Sequence, residues 1–152
     1  MKVGEVCNRE VVVVNRDQSI LDAAKLMRSF HVGDVVVVQD AGSVRTPVGI
    51  LTDRDIVVKL LAREIDLAAV SIGDAMSFDL VTAGEEDSVI EAIEKMRNQG
   101  VRRIPVVSSQ GGLEGILSLD DCLELVAEQV GDLVQLIKTE QRRENQELSF
   151  TD

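Results

Sequence analysis

The chain has 152 residues, 45% of them hydrophobic but only 2% aromatic, with neither Trp nor Tyr, and carries a net charge of −11 at pH 7. An aliphatic interior of this size can form a sizeable core, whereas each half, at about 65 to 70 residues, is near the lower limit for folding alone, so two halves sharing one core are expected. The acidic balance argues against nucleic acid or an anionic membrane as the main partner, since both reward basic patches, and no apolar run approaches the roughly 20 residues of a spanning helix.

Residues 11–14 are a short β-branched run and predict a strand. Apolar residues at 20, 23, 24 and 27 mark one face of a helix over 19–28. Gly33 then breaks the chain before residues 35–38, a run apolar on both faces and therefore an interior strand. Residues 48–51 predict the next strand, 53–62 a second helix, and 63–71 a linker. The plan returns as a strand at 80–82, a helix at 88–98 with a Ser88/Glu91 capping box and Gly100 as its stop, strands at 104–107 and 113–117, and a helix at 119–130. After Gly131, residues 132–147 keep apolar side chains at 133, 134, 136 and 137 and then turn polar, which predicts a C-terminal helix that docks first and then runs into solvent. The resulting division is 1–65, 66–130 and 131–152.

The halves repeat in wording as well as in plan. Gly49-Ile50-Leu51-Thr52-Asp53-Arg54-Asp55 returns as Gly115-Ile116-Leu117-Ser118-Leu119-Asp120-Asp121. Upstream the offset is 69 residues, as in Gly4 with Gly73, Ala23 with Ala92 and Met27 with Met96, and it falls to 66 at Gly49 with Gly115. The missing three residues lie between the turn-rich stretches 40–47 and 108–112, where a duplication tolerates an indel. Cys7 and Cys122 lack CxxC spacing and read as small buried apolar residues in a reducing cytosol. With no signal-peptide apolar region at the N-terminus, a cytoplasmic location is expected.

The tandem plan, the lead-ins 3–7 and 72–76, the Val101-Arg102-Arg103-Ile104-Pro105 segment and the two Gly-Ile-Leu-(Thr/Ser)-x-x-Asp phrases resemble a pair of CBS domains, often called a Bateman module, over residues 1 to 130. The resemblance implies an α+β (mixed α/β) fold of two pseudo-symmetric β-α-β-β-α repeats sharing one core, here followed by a C-terminal helix. It further implies two clefts for adenosine-containing ligands such as AMP, ADP, ATP or S-adenosylmethionine, a homodimer in the form of a flat disc, and regulation in place of catalysis.

The residues themselves suit such ligands. Thr52-x-x-Asp55 and Ser118-x-x-Asp121 each follow a strand and open a helix, so that the carboxylate can accept from a ribose diol while the hydroxyl and first-turn N–H groups suit a phosphate. The plainer alternative is that each pair only caps its helix; two copies at equivalent positions favour ligand binding without excluding capping. Arg102 and Arg103 precede a strand, and in the resembling family a His/Arg pair there reaches phosphate, for which the arginine fork is well shaped. The expected second-half cleft therefore gathers Ser118, Asp121, Arg102 and Arg103, lined by Thr82 and by backbone at Ile104 and Pro105. In the first half the counterparts of the arginines are Gly33 and Asp34, which leaves that cleft empty, bound to a neutral adenosine moiety, or borrowing a base from elsewhere.

His31 has no partner spacing and reads as a loop residue, Met27 and Met96 as core, and Gly111-Gly112 as a hairpin turn. The aspartates have no nucleophile beside them, so no catalytic set emerges. The apolar residues of the two second helices, Ile56, Val57, Val58, Leu60 and Leu61 in one and Leu123, Leu125, Val126 and Val130 in the other, exceed what one core-facing stripe needs and predict the dimer surface. The expected function is a regulatory module that senses an adenosyl ligand and acts on a partner in trans; the rival is a ligand-independent interaction scaffold.

Overall fold

The computed structural model describes residues 1–150. Its first half runs through helix α1 (Val3–Val6), strand β1 (Val13–Val14), helix α2 (Ile20–Phe30), strands β2 (Asp34–Ala41) and β3 (Val44–Thr52), and a short helix α3 (Asp53–Asp55). Helix α3 continues through a π turn at Ile56–Leu60 and a 3₁₀ turn at Leu61–Arg63. The second half follows with α4 (Ile72–Ala75), β4 (Ala83–Gly84), α5 (Val89–Gln99), β5 (Arg103–Val107), β6 (Leu113–Ser118) and α6 (Leu119–Ser149). This is the expected mixed plan in two like repeats, with the first strand of each half shorter and slightly later than predicted.

Each half has a three-stranded sheet, β1-β2-β3 or β4-β5-β6, whose middle strand runs parallel to the first and antiparallel to the third. The middle strands are covered on both sides: Val35, Val36 and Val37 are fully buried, and so are Ile104, Pro105 and Val106. Bulges at Val37/Val38 and Val106/Val107 fall at equivalent points. The β2-β3 hairpin spans residues 34–52 and the β5-β6 hairpin residues 103–118, three residues fewer, so the break in the repeat offset lies within these hairpins.

Neither half closes its own interior. Val3 of α1 sits among Ala83, Val89, Ala92 and Ile104 of the second half, while Ile72 and Met76, from α4 and just after it, sit among Val14, Ile20, Val35 and Leu51 of the first. The exchange is hydrogen-bonded symmetrically: the Val3 and Gly4 N–H groups donate to the Asp87 and Glu85 carbonyls, and those of Ile72 and Gly73 donate to Gln18 and Arg16, at 2.8–3.0 Å. The chain leaving each lead-in then crosses β3 or β6. A Cβ at Gly49 would stand 2.9 Å from the Ser77 carbonyl oxygen, and one at Gly115 would stand 2.8 Å from that of Asn8. The repeated glycine is therefore required by a backbone crossing and not by a ligand.

Two helix ends differ instructively. Helix α5 stops at Gly100 with φ 66°, whereas its counterpart α2 stops at His31 with φ 54°, a left-handed conformation that a side-chain-bearing residue adopts at a cost. The lone histidine is thus a helix stop. His31→Gly is expected to raise stability by about 0.5 to 1 kcal/mol, the left-handed relief less the extra backbone entropy of glycine; thermal unfolding of the variant below the wild type would contradict this.

Gly131 does not end a helix. Helix α6 is continuous over 31 residues, because a single interior glycine costs only about 1 kcal/mol relative to alanine and good helix formers such as Glu128, Gln129, Leu133, Gln135 and Leu136 lie within the turns on either side. Nor does its distal part dock on its own chain: Leu133, Leu136 and Ile137 are all more than half exposed. The expectation of a separate C-terminal helix that docks first is corrected on both counts. Residues 151 and 152 of the expected tail lie outside the described residues.

Candidate functional site

Between the two sheets lie two related cavities. The larger, of about 580 Å³, is walled by Ile50, Thr52 and the 53–55 turn of the first half and by residues 79–81, Val101, Arg102, Arg103 and Pro105 of the second. The smaller, of about 170 Å³, is walled by Ile116, Ser118, Asp120 and Asp121 of the second half and by residues 10–12, Val32, Gly33 and Asp34 of the first. Residue for residue these are the same cleft made twice, and in each the strand-to-helix corner of one half faces the middle-strand entrance of the other.

This grouping differs from the one read from sequence. Arg102 and Pro105 stand with Thr52 and Asp55, while Ser118 and Asp121 line the other cleft; among the arginines only Arg103 reaches both walls. The reason is the crossing of the lead-ins. Ser77 pairs with Ile50 and Asn8 with Ile116, so residues 79–81 run from the edge of β3 to the edge of β5 and close the larger cleft, and residues 10–12 do the same for the smaller. Thr82 lines neither cavity; its carbonyl oxygen accepts from Lys95 Nζ at 3.4 Å. Ile104 is fully buried in the second-half core, so only its backbone can face a ligand. Sequence reading also missed Arg54, Lys59, Asp79, Leu80 and Val81 on the larger wall. The capping phrase would have pointed to Arg54 and Lys59, both on the turn it opens.

Both motif pairs cap their helices. Thr52 Oγ1 accepts from the Asp55 N–H and Asp55 Oδ2 accepts from the Thr52 N–H, each at 3.1 Å. Ser118 and Asp121 do likewise at 3.1 and 2.8 Å, with the Ser118 hydroxyl also donating to Asp121 Oδ2 at 2.8 Å. Asp55 Oδ1 takes an ion pair from Lys59 at 2.8 Å. Burial pushes the Asp55 carboxyl up, but the bonds from Lys59 and Thr52 bring it below the ordinary aspartate range, so it is ionised at neutral pH. At Asp55 the cap bond occupies one lone pair of Oδ2 and Lys59 one of Oδ1; a carboxylate has about four acceptor sites, so two remain for a diol.

The clefts differ in charge and in backbone chemistry. The larger holds Arg54, Lys59, Arg102 and Arg103 against Asp53, Asp55 and Asp79; the smaller holds Arg103 alone against Glu10, Asp34, Asp120 and Asp121. In the smaller cleft the Val36 N–H donates to the Val12 carbonyl at 3.0 Å. At the equivalent place in the larger cleft Pro105 has no N–H to give, so the carbonyl of Val81, a residue of the cavity wall, lacks that strand partner.

Among the described residues no helix is long and apolar enough to cross a membrane, and no group of three or more His, Cys, Asp or Glu is placed to hold a metal ion. Burial raises the Cys7 and Cys122 thiols above their ordinary value, as suits unreactive half-buried and buried side chains.

Comparison with known proteins agrees with the doubled cleft. The chain is 32% identical to an uncharacterised protein of Methanopyrus kandleri over 97% of its own length and 72% of that protein's. It is 34% identical to the CBS domain-containing protein YhcV of Bacillus subtilis over 78% and 81% of the two chains. Among solved structures, the CBS domain pair of protein MJ0100, in complex with 5′-methylthioadenosine and S-adenosyl-L-methionine, superposes with a TM-score of 0.74 at 25% identity, covering 85% of this chain and 98% of that one. A hexameric CBS-CP12 protein from bloom-forming cyanobacteria gives 0.73 at 26% identity over 81% and 66%. The model of the CBS domain matches residues 3–62 and again 72–128, and the chain belongs to the CBS-domain family as a tandem pair.

Proposed function

We propose that the protein is a regulatory module whose larger cleft binds one adenosine-containing ligand and whose occupancy is signalled through a homodimer to a protein partner in trans. The observation that carries this reading is convergence: an ionised carboxylate, a basic wall and an open backbone acceptor meet in one cavity of about 580 Å³, a size within the few-hundred to thousand Å³ range of small-molecule sites. Asp55 accepts from the ribose hydroxyls, Arg102, Arg103 and the Thr52 hydroxyl face the phosphate or its substitute, and the Val81 carbonyl accepts from the exocyclic amine of adenine. The adenosyl ligands in the MJ0100 pair support the same chemical class here. The smaller cleft, at about 170 Å³, is below that range.

A scaffold without a ligand is the reading favoured by the completed capping boxes, since Thr52 and Asp55 already satisfy one another. Thermal unfolding separates the two, because a ligand that binds only the native state raises its stability by about 2.7 kcal/mol at a hundred times Kd. AMP, ADP, ATP or S-adenosylmethionine is expected to raise the melting temperature by several degrees. No shift with any of the four at millimolar concentration would leave the scaffold standing.

A further inference from the structure

Arg103 and Asp34 occupy equivalent positions, 69 residues apart, and their side chains meet: Arg103 Nη1 donates to Asp34 Oδ1 at 2.8 Å. Residues that touch their own repeat equivalents lie on the pseudo-twofold axis, as in any isologous contact. The pair therefore stands on the partition between the two cavities, with Arg103 on both walls and Asp34 on the smaller one. Its side chains retain 27% and 17% exposure, so it is a half-buried contact that a competing anion can reach. Around it the balance is acidic: Asp53 reaches towards Gly33, and Glu10, Asp120 and Asp121 line the smaller cavity.

We propose that Asp34 is a positioning residue that holds Arg103 on the axis shared by the two clefts, and so sets how strongly the larger cleft prefers phosphorylated adenosine ligands over adenosine. A phosphate in the larger cleft must compete with the Asp34 carboxylate for the guanidinium, whereas adenosine makes no such demand. Arg102 has no equivalent restraint, its counterpart being Gly33. The inference rests on the adenosyl reading of the cleft.

Calorimetric titration with AMP and with adenosine tests it on wild type, Asp34→Asn and Asp34→Asn/Arg103→Ala. The asparagine keeps shape and an acceptor oxygen but removes the charge. AMP affinity is expected to rise about five-fold in Asp34→Asn, the scale of one partly exposed ion pair, with adenosine unchanged, and the gain is expected to vanish in the double variant. Equal changes for both ligands, no change, or weaker AMP binding in Asp34→Asn would overturn the role of Asp34 while leaving the adenosyl reading intact. Wild-type protein that binds neither ligand would overturn that reading and this inference together.

Discussion

Asp55→Ala is expected to weaken AMP binding about ten- to a hundred-fold, while Asp121→Ala leaves it within about two-fold. A hydrogen bond to a charged acceptor is typically worth ~1.5 to 3 kcal/mol, and each 1.4 kcal/mol is a factor of ten in affinity. The two aspartates are equivalents with the same capping geometry, so loss of capping alone predicts like effects on both. What separates them is the cavity: Asp55 shares a wall with Arg102 and Pro105, whereas Asp121 faces the smaller acidic cleft. Calorimetry on both variants checks this, with Asp55→Asn as the form that retains a capping oxygen. Equal losses in the two alanine variants would place the ligand elsewhere.

Replacing Leu123 and Val126 together by glutamate is expected to convert a dimer into monomers. On the π turn after α3, Val57 and Val58 are 53% and 51% exposed in the single chain, and Leu61 just beyond is 55% exposed; on α6, Leu123, Val126 and Val130 are 56%, 54% and 54% exposed. Six half-exposed aliphatic side chains on the equivalent second helices of the two halves are more than the scattered single exposures of an ordinary surface. Burying such a side chain contributes ~1.5 kcal/mol or more, so losing four of them across a twofold interface removes ~6 kcal/mol, a factor of about ten thousand in the dissociation constant. Light scattering at micromolar concentration is expected to give twice the 16.6 kDa chain mass for wild type and a single chain mass for the double variant. Because Thr52 and Asp55 cap the same helical segment that carries Val57, Val58 and Leu61, a ligand held at its N-terminus can bias the dimer geometry. A wild-type mass of one chain, or of six as in the hexameric neighbour, would contradict the homodimer.

Much of this was legible in the residues. Periodicity and the doubled phrase gave both repeats, the capping boxes at Ser88 and at the two motifs, the core positions of Met27 and Met96, and the indel between the hairpins. The grouping of the cleft was not legible, because it depends on which half each lead-in crosses to. Val3 and Ile72 are apolar residues at equivalent positions, and nothing local says that each packs into the opposite repeat. Once they do, the 79–81 segment must close the cleft that holds Thr52, and Arg102 goes with it. The contact of Arg103 with Asp34 was hidden for the same reason. The offset makes them equivalents, but only the axis between the halves makes them neighbours. At Gly131 a local breaker signal lost to a long helix that tolerates one glycine.

The central claim, one competent adenosyl site in a doubled cleft, is tested most directly by the stoichiometry of ligand binding. Calorimetric titration of wild-type protein with AMP and with S-adenosylmethionine is expected to give one ligand per chain for whichever binds, since of the two related clefts the one of about 580 Å³ has the size and the basic wall, and the one of about 170 Å³ has neither. Two equivalent ligands per chain, or none of either, would contradict the account.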